Sequence, residues 1–414
     1  MKKVLSLAGA AALAAALAIP LSARAACDIP AGSVRILAND FAALRIIIDA
    51  AQTCASKTVS VTANETTQHD SLQVPALQIS PAAYSAVFVA NNSLFPLMDK
   101  GLIRPLDDLV AKYGADLRPE QLVTVDGHVM AIAVDINAQH LFYRADILRR
   151  AGIAPPTTYE GILAAAKIIR EKGLMQYPLA ATDQAGWYVA AEFVNMYLGY
   201  GGAFFKPGTA EPSIDNSRGI AALNMMKALA AYMAPDYTTY SADEMNKVYM
   251  SGKVAMMNQW GSVADTVIDR HGAAPEIAAN TVLAAAPTVD GGSTPAAALW
   301  WDGFVIARNV SDEDAKASFL ALLHGIRTEV ARAHPDDATW LAAGYRPGLG
   351  SAGVLATAHL RAQPYPMVPY MDLLHAALGS ELPQFLLGRE DAATALANVE
   401  SAYIASARAS GFLR

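Results

Sequence analysis

The stretch from Val129 to Gly173 constrains the fold of this chain more than any other. Its apolar start, Val129 to Val134, is short enough to be one buried strand. The run from Ala145 to Arg150 has the composition of a short helix, and Gly152 follows it where glycine commonly ends a helix. This alternation of a buried strand with helices predicts an α/β architecture.

The residues after this helix predict a second one. Pro155 and Pro156 form a rigid turn. Thr157 is placed to cap the next helix, with Glu160 three residues later as in a capping box. The apolar residues that follow fall on one helical face: Ile162, Leu163, Ala166 and Ile169.

The N-terminus is typical of a secretory signal peptide. A basic start precedes an apolar run of alanine and leucine, and residues 23–25 supply an A-x-A cleavage site. Lipid attachment at Cys27 is an alternative, but Arg24 occupies a place where a lipobox has an aliphatic residue. We therefore expect residues 1–25 or 1–26 to be removed and the mature chain to be released into the periplasm.

The mature chain has about 389 residues, too many for one compact core and enough for two domains. Removing Lys2, Lys3 and Arg24 from the 31 basic residues leaves 28 against 38 acidic ones, a net charge of −10. This charge disfavours binding to nucleic acid or to an anionic membrane surface. No second run of about 18 apolar residues occurs, so we expect a soluble mature chain.

The sequence contains two cysteines, Cys27 and Cys54. In an oxidising compartment an even pair predicts one disulfide. It would tie the N-terminal tail to the end of the first predicted helix, Phe41 to Ala55. Two free thiols are the alternative.

Strands and helices alternate through the first half of the chain. Strands are predicted at Ser33–Ala38, Thr58–Thr62 and Tyr84–Ala90, which favours a mostly parallel sheet with helices on both faces. Ligands of such sheets bind beyond the carboxyl ends of the strands. Short polar residues at predicted strand ends are therefore candidate ligand-binding residues: Asn39, Asp40, Asn91, Asn92, Asp135 and Asn137. Helix capping or turn formation is the alternative role for each.

Three segments of the chain resemble one family in combination. The first follows a predicted strand and begins with Tyr143-Arg-Ala-Asp-Ile, after which comes Ala151-Gly-Ile-Ala-Pro-Pro-Thr-Thr-Tyr-Glu160. The second runs from Gly101 to Leu109 and includes Arg-Pro-Leu-Asp. The third runs from Gly252 to Trp260 and reads Gly-Lys-Val-Ala-Met-Met-Asn-Gln-Trp. All three resemble the extracellular solute-binding proteins of ABC importers, within the maltose-binding-protein-like sugar-binding family. Weaker resemblance extends over almost the whole mature chain.

The resemblance implies an α/β, two-lobed periplasmic binding protein fold of type II, with the ligand cleft between the lobes. Lobe 1 would comprise residues 27–137 and a return segment, 298–343. Lobe 2 would comprise residues 138–297 and a C-terminal segment, 344–414. Two or three crossovers would join the lobes.

The resemblance also assigns ligand binding to the second half of the chain. These candidates are Trp187, Trp260, Trp300, Trp301, Asp302 and Arg346. In the family an aromatic platform lies near the position of Trp187, and the tryptophan at the position of Trp260 stacks on sugar. Because acidic candidates outnumber the single cation, Arg346, a neutral sugar or polyol fits this set better than a phosphorylated or carboxylated solute.

The implied function is capture of a sugar or polyol and its delivery to the permease subunits of an ABC importer in the inner membrane. We expect a monomer that binds without chemistry, cofactor or metal. Gly348 to Gly353 spells G-x-G-x-x-G but follows Pro347 rather than a strand, and the sequence contains no H-E-x-x-H or G-x-S-x-G motif. A secreted glycoside hydrolase and a ligand-sensing receptor with the same fold are the alternatives.

Overall fold

The computed structural model describes residues 27–414, so the predicted signal peptide lies outside the described residues. The strands are β1 (Gly32–Ala38), β2 (Val59–Glu65), β3 (Ala86–Ala90), β4 (Leu122–Val125), β5 (His128–Asn137), β6 (Gln139–Arg144), β7 (Leu179–Ala180), β8 (Met256–Trp260), β9 (Thr281–Ala284), β10 (Ala298–Ile306), β11 (Thr339–Trp340) and β12 (Gln363–Pro364).

Helices connect and cover these strands. They are α1 (Ala42–Gln52), α2 (His69–Gln78), α3 (Leu94–Asp99), α4 (Asp107–Tyr113), α5 (Ala145–Ala151), α6 (Tyr159–Glu171), α7 (Trp187–Gly199), α8 (Ser217–Ala230), α9 (Ala242–Met250), α10 (Ala264–Ile268), α11 (Pro275–Asn280), α12 (Asp312–Gly325), α13 (Thr328–Ala333), α14 (Ala352–His359), α15 (Met371–Leu386) and α16 (Ala392–Ala409). Within the described chain, no helix has the length and apolar character needed to cross a bilayer.

The first sheet has eight strands and mixed directions. Its order is β11-β5-β10-β3-β1-β2, with β4 also paired to β5 and β12 to β10. β1 is parallel to β2 and β3, whereas β10 is antiparallel to β3 and β5. The prediction of a mostly parallel sheet was wrong here, because β10 returns from the second half of the chain in the opposite direction and lies between β3 and β5.

The second sheet has four strands in the order β7-β8-β6-β9. β6 is antiparallel to β8 and β9, and β7 is parallel to β8. The chain passes from the first sheet to the second at Ala138, between β5 and β6.

Each sheet has its own large hydrophobic core. The first core packs β1, β3 and β5 against α1 and α12, and the second packs β6 against α6, α7, α8, α15 and α16. β10 contributes to both, because Trp300 lies in the second core and Phe304 in the first. This strand therefore joins the two halves mechanically.

Several helix ends follow the sequence signals. Gly152 ends α5 with a positive φ of 69°, which glycine adopts without a Cβ clash. The Ser311 Oγ accepts a hydrogen bond from the Asp314 amide at 3.0 Å and begins α12. The capping residue of α6 is Thr158 rather than Thr157: its Oγ1 accepts a hydrogen bond from the Gly161 amide at 3.0 Å.

The apolar run Val254 to Met257 favours a strand, and the observed strand, β8, begins at Met256 and continues to Trp260. Its polar residues Asn258 and Gln259 lie inside the strand rather than after it. The buried Gln259 is tolerated because its Nε2 donates hydrogen bonds to the Ala242 carbonyl at 3.0 Å and to Asn246 Oδ1 at 2.7 Å. Side-chain partners far along the chain therefore extend the strand beyond its apolar part.

A disulfide between Cys27 and Cys54 confirms the predicted pairing. The two Cα atoms lie 5.5 Å apart, and 27 positions separate the residues in the sequence. The bond fixes the start of the described chain to the C-terminal end of α1, whose buried face packs in the first core.

The double replacement Cys27→Ser/Cys54→Ser should lower the free energy of unfolding by about 3–4 kcal/mol, because a loop of this length is no longer closed in the unfolded chain. Urea denaturation of both proteins measures the loss. Adding a reducing agent should destabilise the wild-type protein and leave the variant unaffected. Equal denaturation midpoints for the two proteins would contradict a stabilising role for this bond.

Candidate functional site

A cavity of about 210 Å³ lies where the two sheets face each other. Segments that follow β1, β2 and β3 line one side of it, together with the end of β5 and the first half of β10. The starts of α7 and α9 and the end of β8 line the other side. We call this cavity the cleft. A smaller cavity, about 30 Å³ inside the second core, has room for about one water molecule and is too small for a solute.

Eight of the twelve sequence-predicted ligand residues line the cleft. They are Asn39, Asp40, Asn92, Asn137, Trp187, Trp260, Trp300 and Asp302. Four others, Asn91, Asp135, Trp301 and Arg346, do not belong to its lining. The structure thus brings together candidates from both halves of the sequence.

The residues after β1 and β5 have separate local roles. Helix capping is the alternative role for Asn39 and Asp40. The residue before α1 is Phe41, however, and no side chain in the described chain caps this helix. Asp40 instead forms an exposed ion pair with Arg45. Asn137 connects the two sheets, since its Oδ1 accepts hydrogen bonds from the amides of Ala138 and Ser262 at 2.9 and 3.2 Å.

Asn91 lies directly before Asn92, yet it is buried behind the cleft. Its Oδ1 accepts a hydrogen bond from the Trp301 amide at 2.8 Å. Its Nδ2 also donates a hydrogen bond to the Leu299 carbonyl at 3.5 Å. Asn91 therefore positions the first half of β10, and Asn92 faces the cleft.

Asp135 and Asp302 lie opposite each other on β5 and β10. The Asp302 amide donates a hydrogen bond to Asp135 Oδ1 at 3.4 Å, and the register of the two strands shifts at this point. Gly303 permits the close approach, because a Cβ there would lie 2.4 Å from the Ile132 carbonyl oxygen. Asp302 reaches the cleft, whereas Asp135 is 3% exposed behind it.

Both carboxyl groups have raised pKa values. Burial raises the pKa of Asp135 well above its usual range, and the neighbouring charge of Asp302 raises it further. Burial also raises the pKa of Asp302 to about 7, while the nearby His69 lowers it and Asp70 raises it. The opposed carboxyl groups of Asp135 and Asp302 therefore cannot both be ionised at low cost.

Three tryptophans form a triangle in the cleft. The ring centroids of Trp187, Trp260 and Trp300 lie 5.6–5.8 Å from one another. Trp187 is the most open at 37% exposure, and the other two are buried. His375 holds the start of α7, because its Nε2 lies 2.9 Å from the Trp187 carbonyl oxygen.

The neighbouring tryptophans of β10 face opposite sides, as successive residues of a strand do. Trp300 lines the cleft and packs in the second core, whereas Trp301 packs against the first core. Arg346 is exposed in the loop after β11, outside the cleft lining.

The sequence reasoning missed the segment after β2. Thr67, His69 and Asp70 line the cleft there, and Tyr188 and Asp243 line it from α7 and α9. Helix α2 contains Pro75 and has no distinct apolar face, so it gave no helical pattern. The polar run that follows β2 was nevertheless a usable signal, because the strand-end rule that selected Asn39 and Asn92 applies equally to it.

Comparison with known proteins gives one consistent result. A family model described as bacterial extracellular solute-binding protein matches residues 49–324. A Deinococcus radiodurans protein named "Probable ABC transporter-binding protein" is 26% identical over 247 residues, which are 57% of this chain and 56% of that protein. The chain thus spans about half the length of this curated relative.

Solved structures with the same architecture cover nearly the whole chain. A solute-binding protein of Agrobacterium radiobacter K84, in complex with ribitol, has a TM-score of 0.75 and 19% identity, covering 89% of this chain and 97% of its own. One from Agrobacterium vitis S4, with bound D-mannitol, has a TM-score of 0.74 and 19% identity, covering 92% and 99%. These similarities confirm the two-lobed α/β fold with a cleft between the lobes.

Asp302→Asn should change the pH dependence of stability. A carboxyl group whose pKa is about 7 in the folded protein and about 4 in the unfolded chain binds more protons when folded, so its contribution to stability falls as the pH rises from about 4 to about 7. Relative to the wild-type protein, the variant should gain roughly 1–3 kcal/mol in unfolding free energy between pH 4 and pH 8.

Urea denaturation at several pH values measures this difference. The exposed Asp116, replaced by Asn, is the matched control and should give a difference that hardly varies with pH. A pH-independent effect of Asp302→Asn would show that this carboxyl group does not titrate in the window.

Proposed function

The chain belongs to the bacterial extracellular solute-binding proteins, and from this membership we propose that it captures a sugar or polyol in the cleft and delivers it to the permease of an ABC importer. The observation that carries the proposal is the tryptophan triangle facing the polar residues at the strand ends. Trp187 and Trp260 come from one side of this cavity, and Trp300 and the strand-end polar residues come from the other. The members of the family bind substrates for transport, and their fold is the fold described above.

The cleft suits both faces of a polyhydroxy solute. The C–H groups of a sugar ring or a polyol chain form an apolar surface that packs on tryptophan rings. Its hydroxyl groups donate hydrogen bonds to carboxylates such as Asp302 and accept them from amide groups such as that of Asn92. The proteins with bound ribitol and D-mannitol support polyols and sugars as the solute class.

Closure of the lobes on the solute is part of the proposal. Trp187 and Trp260 line the cleft from one side, and Asn92 and Asp302 line it from the other. A solute that contacts both sides favours the closed state by its differential affinity. We propose that residues 27–137 and 298–343 form lobe 1 and that residues 138–297 and 344–414 form lobe 2. The passage at Ala138 is one of the hinges between them.

The remaining parts of the proposal concern location and partners. The extracellular character of the family supports a periplasmic protein whose signal peptide is residues 1–25. A monomer in contact with the permease subunits suits a carrier that shuttles between solution and membrane. We propose binding without catalysis, and of the opposed pair Asp135 and Asp302 only Asp302 lines the cleft.

A thermal-shift screen with ribitol, D-mannitol, maltose and their monosaccharide relatives tests this proposal. A ligand that binds the native state alone stabilises it by about 2.7 kcal/mol at 100 times its dissociation constant. The bound solute should be recovered unchanged. Turnover beyond one equivalent would contradict the proposal and favour a hydrolase, and the absence of binding by every sugar and polyol would contradict it outright.

Trp187→Ala should weaken binding of the solute found in that screen by about 2–4 kcal/mol, because it removes an aromatic contact in the cleft. The melting temperature of the ligand-free protein should change little, since Trp187 is partly exposed. Trp301→Ala is the matched control: it removes the same side chain from the far side of β10 and should cost stability while affinity is nearly kept. Calorimetry and melting on both variants measure the two effects, and the reverse pattern would place Trp301 at the solute.

A further inference from the structure

The lining of the cleft is acidic. Asp40, Asp70, Asp243 and Asp302 contribute carboxyl groups to it, and within the described chain no lysine or arginine belongs to the lining. Arg45 partly offsets the charge from outside, through its exposed ion pair with Asp40. The three other carboxyl groups have no basic partner except His69, beside Asp70.

Asp302 is the cleft carboxyl group that can accept the most additional hydrogen bonds. Within residues 27–414, no side chain donates a hydrogen bond to its carboxylate oxygens, although its backbone amide is bonded to Asp135. Asp70 differs, because Gln73 Nε2 donates to it at 3.1 Å and His69 Nε2 lies 3.1 Å away. Asp302 is partly buried at the cleft, and a carboxylate that loses water there without gaining a donor is costly, so a donor-rich ligand group removes that cost.

Two buried polar atoms in the lining point independently to a ligand. Trp300 is 5% exposed and His69 is 8% exposed, and within the described chain neither Trp300 Nε1 nor His69 Nδ1 has a hydrogen bond partner. His69 Nε2 faces the Asp70 carboxylate, so this nitrogen carries a proton. Among the lining residues, the indole N–H of Trp300 is therefore a donor without a partner in the described chain.

The aromatic rings of the cleft also favour a positively charged ligand group. The faces of the tryptophan triangle carry negative electrostatic potential, which attracts an ammonium group. An ammonium group has three donors and no acceptor. It matches the acceptors at Asp302 and Asp70 better than a hydroxyl group, which must also receive hydrogen bonds.

From these contacts we propose that the cleft selects a solute bearing a protonated amine, an amino sugar or an amino polyol, over its neutral counterpart. The inference rests on the proposed function and narrows its solute class. The ammonium group lies near Asp302 and Asp70, and the carbon skeleton packs on the tryptophans. The hydroxyl groups use Asn92 and the Trp300 indole N–H. The raised pKa of Asp302 agrees with a site that lacks its counter-charge.

Isothermal titration of the mature protein with matched solutes tests this inference. The pairs are D-glucosamine with D-glucose, D-galactosamine with D-galactose, D-mannosamine with D-mannose, and 1-amino-1-deoxy-D-sorbitol with D-sorbitol. N-acetyl-D-glucosamine keeps the nitrogen but removes the charge. For the configuration that fits, the amine should bind at least tenfold more tightly than both neutral forms, and the ratio should shrink as salt is added.

Asp302→Asn should reduce the amine-to-neutral ratio by about tenfold or more, while its melting shows that it is folded. The control is Asp312→Asn, whose side chain is 96% exposed and paired with Arg104 away from the cleft, and it should keep the wild-type ratio. An unchanged ratio in Asp302→Asn would overturn the role given to this carboxylate.

Two further outcomes separate this inference from the proposed function. Neutral members that bind as tightly as their amines in every pair would overturn the inference and leave sugar or polyol capture intact. If no member of these pairs and no other sugar or polyol binds, both the proposed function and this inference are wrong.

Discussion

The pairing of β10 with β3 and β5 determines where the cleft residues lie. The first half of this strand carries Trp300 into the second core, and its last half carries Phe304 into the first. Asn91 fixes its beginning through the Trp301 amide. Because one strand packs in both cores, its aromatic and acidic cleft residues are held by a backbone ladder rather than by a flexible loop, which is the support that a precise binding site needs.

Local signals in the sequence predicted the elements well where the physics is local. Gly152 ends α5 because only its own backbone conformation matters there, and Ser311 begins α12 through a contact three residues away. The insertion of β10 between β3 and β5 was not predictable in this way, since it depends on pairing over more than 160 positions. The extension of β8 to Gln259 likewise depends on a distant partner, Asn246.

The candidate site shows the same division. The strand-end rule and the family resemblance predicted the segments that line the cleft. They could not predict which of two adjacent residues faces it. Asn92 faces the cleft and Asn91 lies behind it, and Trp300 faces it while Trp301 does not. These choices depend on side-chain alternation and strand register, which become fixed only when the sheet assembles. His69 and Asp70 were not predicted as site residues because α2 has no apolar periodicity that would indicate a helix there.

The alternation along β10 has an evolutionary consequence. Trp300 and Asp302 share one face of the strand, so inserting or deleting a single residue before them would turn both away and present Trp301 instead. The strand would still pair, but Trp300 would leave the second core and the chemistry of the binding surface would be inverted. The irregularity beside Gly303 is a place where β5 and β10 already differ by one residue. A change of strand phase would therefore disturb both cores as well as the cleft, which leaves substitution of contacting side chains as the less disruptive route to a new solute preference.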